Sequence, residues 1–93
     1  DGIYPTSGLY YTTYDCDSDQ ACLTTTYVYQ NDVVIMVMDV FPLDILEETS
    51  EYLDTEFHSV KSFKWNDYKS KNVIDMRIDA EYKQFVLFYS KLD

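Results

Sequence analysis

An α+β fold, with a mostly antiparallel sheet packed against one amphipathic helix, is predicted by three features of the sequence. Tyrosine, threonine and valine concentrate in residues 8–16 and 22–30, and strand-like segments return after residue 60. Ten tyrosines stand against only two glycines and two prolines, a balance that favours pleated structure, where aromatic and β-branched side chains pack well. The apolar period changes once, over residues 44–57, from that of a strand to that of a helix.

Each element follows from its own pattern. Residues 8–16 (GLYYTTYDC) and 22–30 (CLTTTYVYQ) read as two strands. Asn31-Asp32 is turn chemistry, because both residue types tolerate tight backbone conformations. The run VVIMVMDV (33–40) holds a single acid. A half-exposed strand would alternate, so this one is predicted to be covered on both faces. Ile45, Leu46, Thr49, Tyr52, Leu53 and Phe57 then recur at three- and four-residue steps, with acids between them, as one amphipathic helix requires. Asp44 and Glu47, after Pro42, suggest a capping box. Strand character returns at VKSFKW (60–65), NVIDMRI (72–78) and KQFVLFYS (83–90), the last two joined by a turn at Asp79-Ala80-Glu81. The expected order is β-β-β-α-β-β-β.

Residues 1–93 suffice for a single domain. At 46% hydrophobic the chain is not a disordered polymer, and no apolar run approaches the ~20 residues of a membrane-crossing helix. A start at Asp1, without a basic-then-apolar leader, is what a segment excised from a precursor is expected to look like. Charge is unevenly placed. Residues 1–60 hold twelve acids and no lysine or arginine, whereas 61–93 hold seven basic residues and five acids. That field repels phosphate backbones and anionic lipid and favours cationic partners. No direct nucleic-acid contact and no membrane span are expected.

The stretch YDCDSDQAC (14–22) is the only segment resembling a chemical site. Asp15, Asp17 and Asp19 match the first ligand positions of an EF-hand calcium loop, but Gln20 stands where glycine is required and Thr26 where a bidentate glutamate is. Cys-x5-Cys also lacks metal-site spacing, and the one histidine, His58, is remote in sequence. A Cys16–Cys22 disulfide explains the segment better: it staples a hairpin whose solvated tip carries the aspartates. Direct opposition of the two cysteines predicts that Tyr10 faces Val28, Thr12 faces Thr26 and Tyr14 faces Thr24. On the other face Tyr11 would meet Tyr27, and Leu9 would meet Tyr29. A disulfide implies an oxidising compartment.

Other candidates are weighed against plainer roles. His58 follows the predicted helix, where an imidazolium would suit the helix dipole, and no serine or cysteine nucleophile is tied to it by pattern. Acid pairs among seventeen carboxylates carry no hydrolase signature. The row Asp44, Glu47, Glu48, Glu51, Asp54 can imitate phosphates, which gives the alternative of an intracellular, nucleic-acid-mimicking inhibitor. FKWNDYKSKN (63–72) is the one basic-aromatic patch. Trp65, Tyr68, Lys64 and Lys69 are its candidate contacts, although alternation would also turn Phe63 and Trp65 inward. Tyrosines on both faces of the first hairpin add Tyr11, Tyr27 and Tyr29 as binding candidates. The sequence thus predicts a secreted, acidic, non-enzymatic binding module of inhibitor, effector or toxin-subunit type, with no catalytic residue, metal or cofactor. Its partner would be another protein, including another chain of the same complex, or a glycan.

Overall fold

A computed structural model describes residues 2–4 and 8–93. Eight strands form one antiparallel sheet: β1 (Gly2–Tyr4), β2 (Leu9–Asp15), β3 (Thr24–Gln30), β4 (Val33–Pro42), β5 (His58–Lys61), β6 (Lys64–Asp67), β7 (Asn72–Asp79) and β8 (Gln84–Lys91). Their order across the sheet is β1-β2-β3-β4-β8-β7-β6-β5. A 3₁₀ turn (Leu43–Ile45) leads into the helix α1 (Leu46–Glu56) between β4 and β5. The α+β class and the helix's place in the chain are as the sequence predicts.

Four local expectations are corrected. The first concerns register. β2 and β3 pair one residue away from the prediction: Tyr10 faces Tyr29, Tyr11 faces Val28, Thr13 faces Thr26 and Tyr14 faces Thr25. Cys16 N–H donates to the Leu23 carbonyl (3.1 Å), so the residue opposite Cys16 is Leu23. The disulfide reaches diagonally to Cys22, with Cα atoms 5.9 Å apart. Second, 60–65 is not one strand. Phe63 takes a left-handed backbone (φ 64°), which turns the chain between β5 and β6. That conformation costs a side chain with a Cβ about 1–2 kcal/mol, and a bond from Met76 N–H to the Phe63 carbonyl (2.9 Å) holds it. Third, no side chain caps the helix. Pro42 occupies the 3₁₀ N-cap, so Asp44 lies inside the turn instead of ahead of it.

The fourth correction concerns β4. It sits fourth of eight strands, yet α1 covers only one face of the sheet and only part of that. The core joins Leu53 of α1 to Trp65, Ile74, Met76, Phe85 and Leu87, with Phe41 and Tyr89 packed beside it. All the strand members among these point to one side, as their pairings require. The opposite side of β4 carries Met36, Met38 and Val40, beside Phe88 and Val86 of β8, and these residues are only half-buried. Its start, Val33, Val34 and Ile35, is exposed.

The β3–β4 loop is well matched to its residues. Asn31 and Asp32 both have positive φ (51° and 67°), the geometry of a two-residue hairpin whose twist suits the flanking strands. A bulge at Val28/Tyr29 lets Tyr29 face Val34 and Val28 face Met36, leaving Ile35 as the extra residue.

Candidate functional site

The predicted basic-aromatic patch is divided by the fold. Trp65 is 3% exposed, and its indole N–H donates to Asp54 Oδ1 (2.8 Å). It is a core residue that anchors α1 to β6, not a contact, because the turn at Phe63 reverses the chain and alternation in β6 then aims the indole under the helix. Lys64 points to the other face and lies 3.9 Å from Asp75, a partly solvated pair that contributes little to stability. Tyr68 and Lys69 are exposed in the turn after β6, where Asp67 Oδ1 accepts from the N–H groups of Lys69 and Ser70 (both 3.1 Å).

His58 begins β5, directly after Phe57, the C-cap of the helix, as the sequence predicts. Its ring lies 5.8 Å from that of Tyr68, and Tyr68 Oη in turn accepts from Asn66 Nδ2 (3.3 Å). Both cysteines are in the disulfide, so no thiol nucleophile accompanies the imidazole among the described residues. The acids of α1 form an exposed row, and among the described residues Asp54 alone of them has a hydrogen-bonded partner on another element. In the stapled loop Asp17 and Gln20 bond each other through backbone and side chain (2.9 and 3.0 Å). No group of three or more His, Cys, Asp or Glu is placed to hold a metal ion among the described residues. Among the described residues no helix is long and apolar enough to cross a membrane.

The corrected register sorts the tyrosines. Tyr11 lies on the open face with Val28 and Met36. Tyr10, Tyr14, Tyr27 and Tyr29 share the helix side, beyond the helix's edge. Tyr10 and Tyr29 stack at 4.7 Å, and Tyr14 meets Tyr27 edge-on at 6.0 Å. Such pairs are worth roughly 0.5–1.5 kcal/mol beyond their buried area. Tyr10 Oη donates to Asp32 Oδ1 (2.9 Å), a bond that raises the phenol's pKa because it is lost on ionisation. The chain has no match among protein-family models, curated proteins or solved structures. Its surfaces alone carry the functional argument.

Two surfaces stand out. The open face runs from Tyr11 and Val28 through Met36 and Met38 to Phe88, where the Arg77 guanidinium sits 5.7 Å from the ring. On the helix side, Tyr89 adjoins Val37, Tyr27 and Thr12 in one cross-strand row. Tyr89 gives this row a measurable signature. Burial first, then the charge of Asp39, then Tyr52, pushes its phenol up to about 12. An unfolded tyrosine ionises near 10. Its contribution to stability is therefore complete below pH 10 and is lost as pH rises towards 12, where only the unfolded chain readily releases the proton. Urea midpoints measured from pH 9 to 12 should fall more steeply for the native chain than for Tyr89→Phe. Parallel profiles would remove this assignment.

Proposed function

We propose that this chain is a secreted, non-enzymatic binding module of inhibitor, effector or toxin-subunit type, and that the open face of its sheet contacts another protein. The observation that carries this reading is the mismatch in β4. Its sequence is that of a strand buried on both sides, yet Met36, Met38 and Val40, with Val86 and Phe88, have no element packed over them among the described residues. Apolar side chains gathered on one face of a sheet gain by leaving water, at roughly 25 cal/mol per Å². Eight strands spaced ~4.8 Å apart make a face wide enough for a standard interface of roughly 800 Å² per partner.

Two further features agree with this reading. The disulfide suits an extracellular setting. The charges on the open face nearly balance, Lys64 and Arg77 lying beside Asp75, although the whole chain carries −10. A partner can thus approach this face with little electrostatic selection.

The test is affinity capture from the native extracellular fluid under oxidising conditions, with the native chain and a Met38→Glu/Phe88→Glu variant as baits. Both substitutions sit on the open face, outside the core. The native bait should retain specific partners that the variant loses by about tenfold or more, because a carboxylate would have to be desolvated at the contact. Identical partner sets from two equally folded baits would sink the reading.

A further inference from the structure

The second uncovered surface is a step on the opposite side of the molecule. Its floor is the helix-side face of β2, β3 and β4, and its wall is α1. Tyr52 stands on the wall, 58% exposed, with its ring 6.2 Å from Phe57. At the foot of the wall is a cavity of about 320 Å³, bounded by Thr49, Tyr52, Phe57, Phe41, Leu87 and Tyr89. From there the floor continues through Val37 to Tyr27 and Tyr14, then to the Tyr10–Tyr29 stack.

Charge, chemistry and length narrow the occupant. Floor strands β2–β4 and wall alike come from residues 1–60, which contain no lysine or arginine. Asp39 stands in the floor, accepting from Thr25 Oγ1 (2.8 Å), and Asp32 borders it at Tyr10. Glu48 and Glu56 lie four residues either side of Tyr52, one helical turn away on the same row. Anionic ligands are repelled by this arrangement, and a neutral glycan can stack on phenols and donate hydroxyls to the carboxylates but brings no charge to match theirs. A guanidinium satisfies both features, because it stacks on aromatic faces and pairs with carboxylates. From β4 to β2 the floor spans two strand spacings, ~10 Å, the reach of about three extended residues. Thr12 Oγ1, at the end of the Tyr89–Val37–Tyr27 row, is buried without a hydrogen-bond partner among the described residues.

We infer that the tyrosine-floored step between α1 and strands β2–β4 binds an extended, arginine-bearing peptide segment. This site is independent of the open face, so either can fail without the other.

Calorimetric titration of the full, oxidised chain tests it, using a peptide of about ten residues of alternating arginine and proline, which stays extended in solution. A glutamate–proline peptide and a neutral chito-oligosaccharide serve as comparison ligands. The arginine peptide should bind and the other two should not. Tyr14→Ala/Tyr52→Ala removes two exposed rings without changing net charge, and should weaken binding about tenfold. Glu47→Gln/Glu81→Gln removes two exposed acids away from the step and should leave affinity nearly unchanged. Met38→Glu/Phe88→Glu should retain binding. The inference is overturned if affinity follows net charge and ignores the tyrosines, if the glycan binds in preference, or if the folded open-face variant loses the peptide.

Discussion

Trp65→Ala is expected to bring the domain to the edge of unfolding. The indole is buried, belongs to the cluster that joins α1 to the sheet, and donates its N–H to Asp54. Truncating a buried tryptophan costs about 3–5 kcal/mol, from lost transfer energy and the cavity left behind. Here the Asp54 carboxylate also loses its partner, although it can turn to water. Domains of this size are stable by only about 5–10 kcal/mol, so much of the folded population is at risk. A urea titration followed by far-ultraviolet circular dichroism should show the midpoint falling steeply. Tyr68→Ala, three residues along the chain and 60% exposed, should move it by less than ~0.5 kcal/mol. Equal, small shifts for both variants would show that Trp65 does not hold the helix to the sheet. The contrast also matters for binding experiments: loss of a partner with Trp65→Ala would report unfolding, not a contact.

The placement of Trp65 shows where sequence reading reached its limit. Alternation across FKW turned Phe63 and Trp65 to the same side, but that holds only for a continuous strand. Phe63 instead forms the turn and is 51% exposed, while Trp65 begins a new inward alternation from β6. An aromatic residue with positive φ has no compositional signal, so the hairpin was not visible. The helix was visible, because Leu46, Leu53 and Phe57 keep helical spacing and all pack against the sheet. The cysteine pair was legible as a bond but not as a register. A disulfide accepts Cα separations of about 4.4–6.8 Å, and both opposite and diagonal residues of a hairpin can meet that range. One residue of slip exchanges the faces. It moved Tyr11 away from Tyr27 and Tyr29 and gathered four tyrosines beside the helix. The open face was foreshadowed by the run at 33–40, apolar but for Asp39, which signals two buried sides without saying what buries the second.

The disulfide should carry the second large effect. Cys16→Ser/Cys22→Ser is expected to lower stability by about 2 kcal/mol, the loop-closure value for so short a ring. That is roughly a thirtyfold change in the unfolding equilibrium. The loss should leave the β2–β3 pairing in place, since other contacts specify it. Thr13 and Thr26 join their hydroxyls across the strands at 2.9 Å, and the Tyr10–Tyr29 and Tyr14–Tyr27 ring pairs flank that bond along the hairpin. A shift of one residue would break all three. What the bridge adds locally is an anchor at the hairpin's end, where Cys16 Sγ lies 3.4 Å from Thr25 Oγ1 and that hydroxyl donates to Asp39. Without it, the loop from Asp17 to Ala21 should open and expose its amides, while β2 and β3 keep theirs. Hydrogen exchange on the double-serine variant can separate the two effects: fast exchange confined to residues 16–23 is the expected result, together with the lower urea midpoint. Exchange spreading through Thr12 and Tyr27 would mean that the bond, not the cross-strand pairs, sets the register. An unchanged midpoint would mean that the closed loop adds nothing to folding. Either result would also bear on the peptide step, because Tyr14 and Tyr27 keep their places on its floor only if the hairpin does.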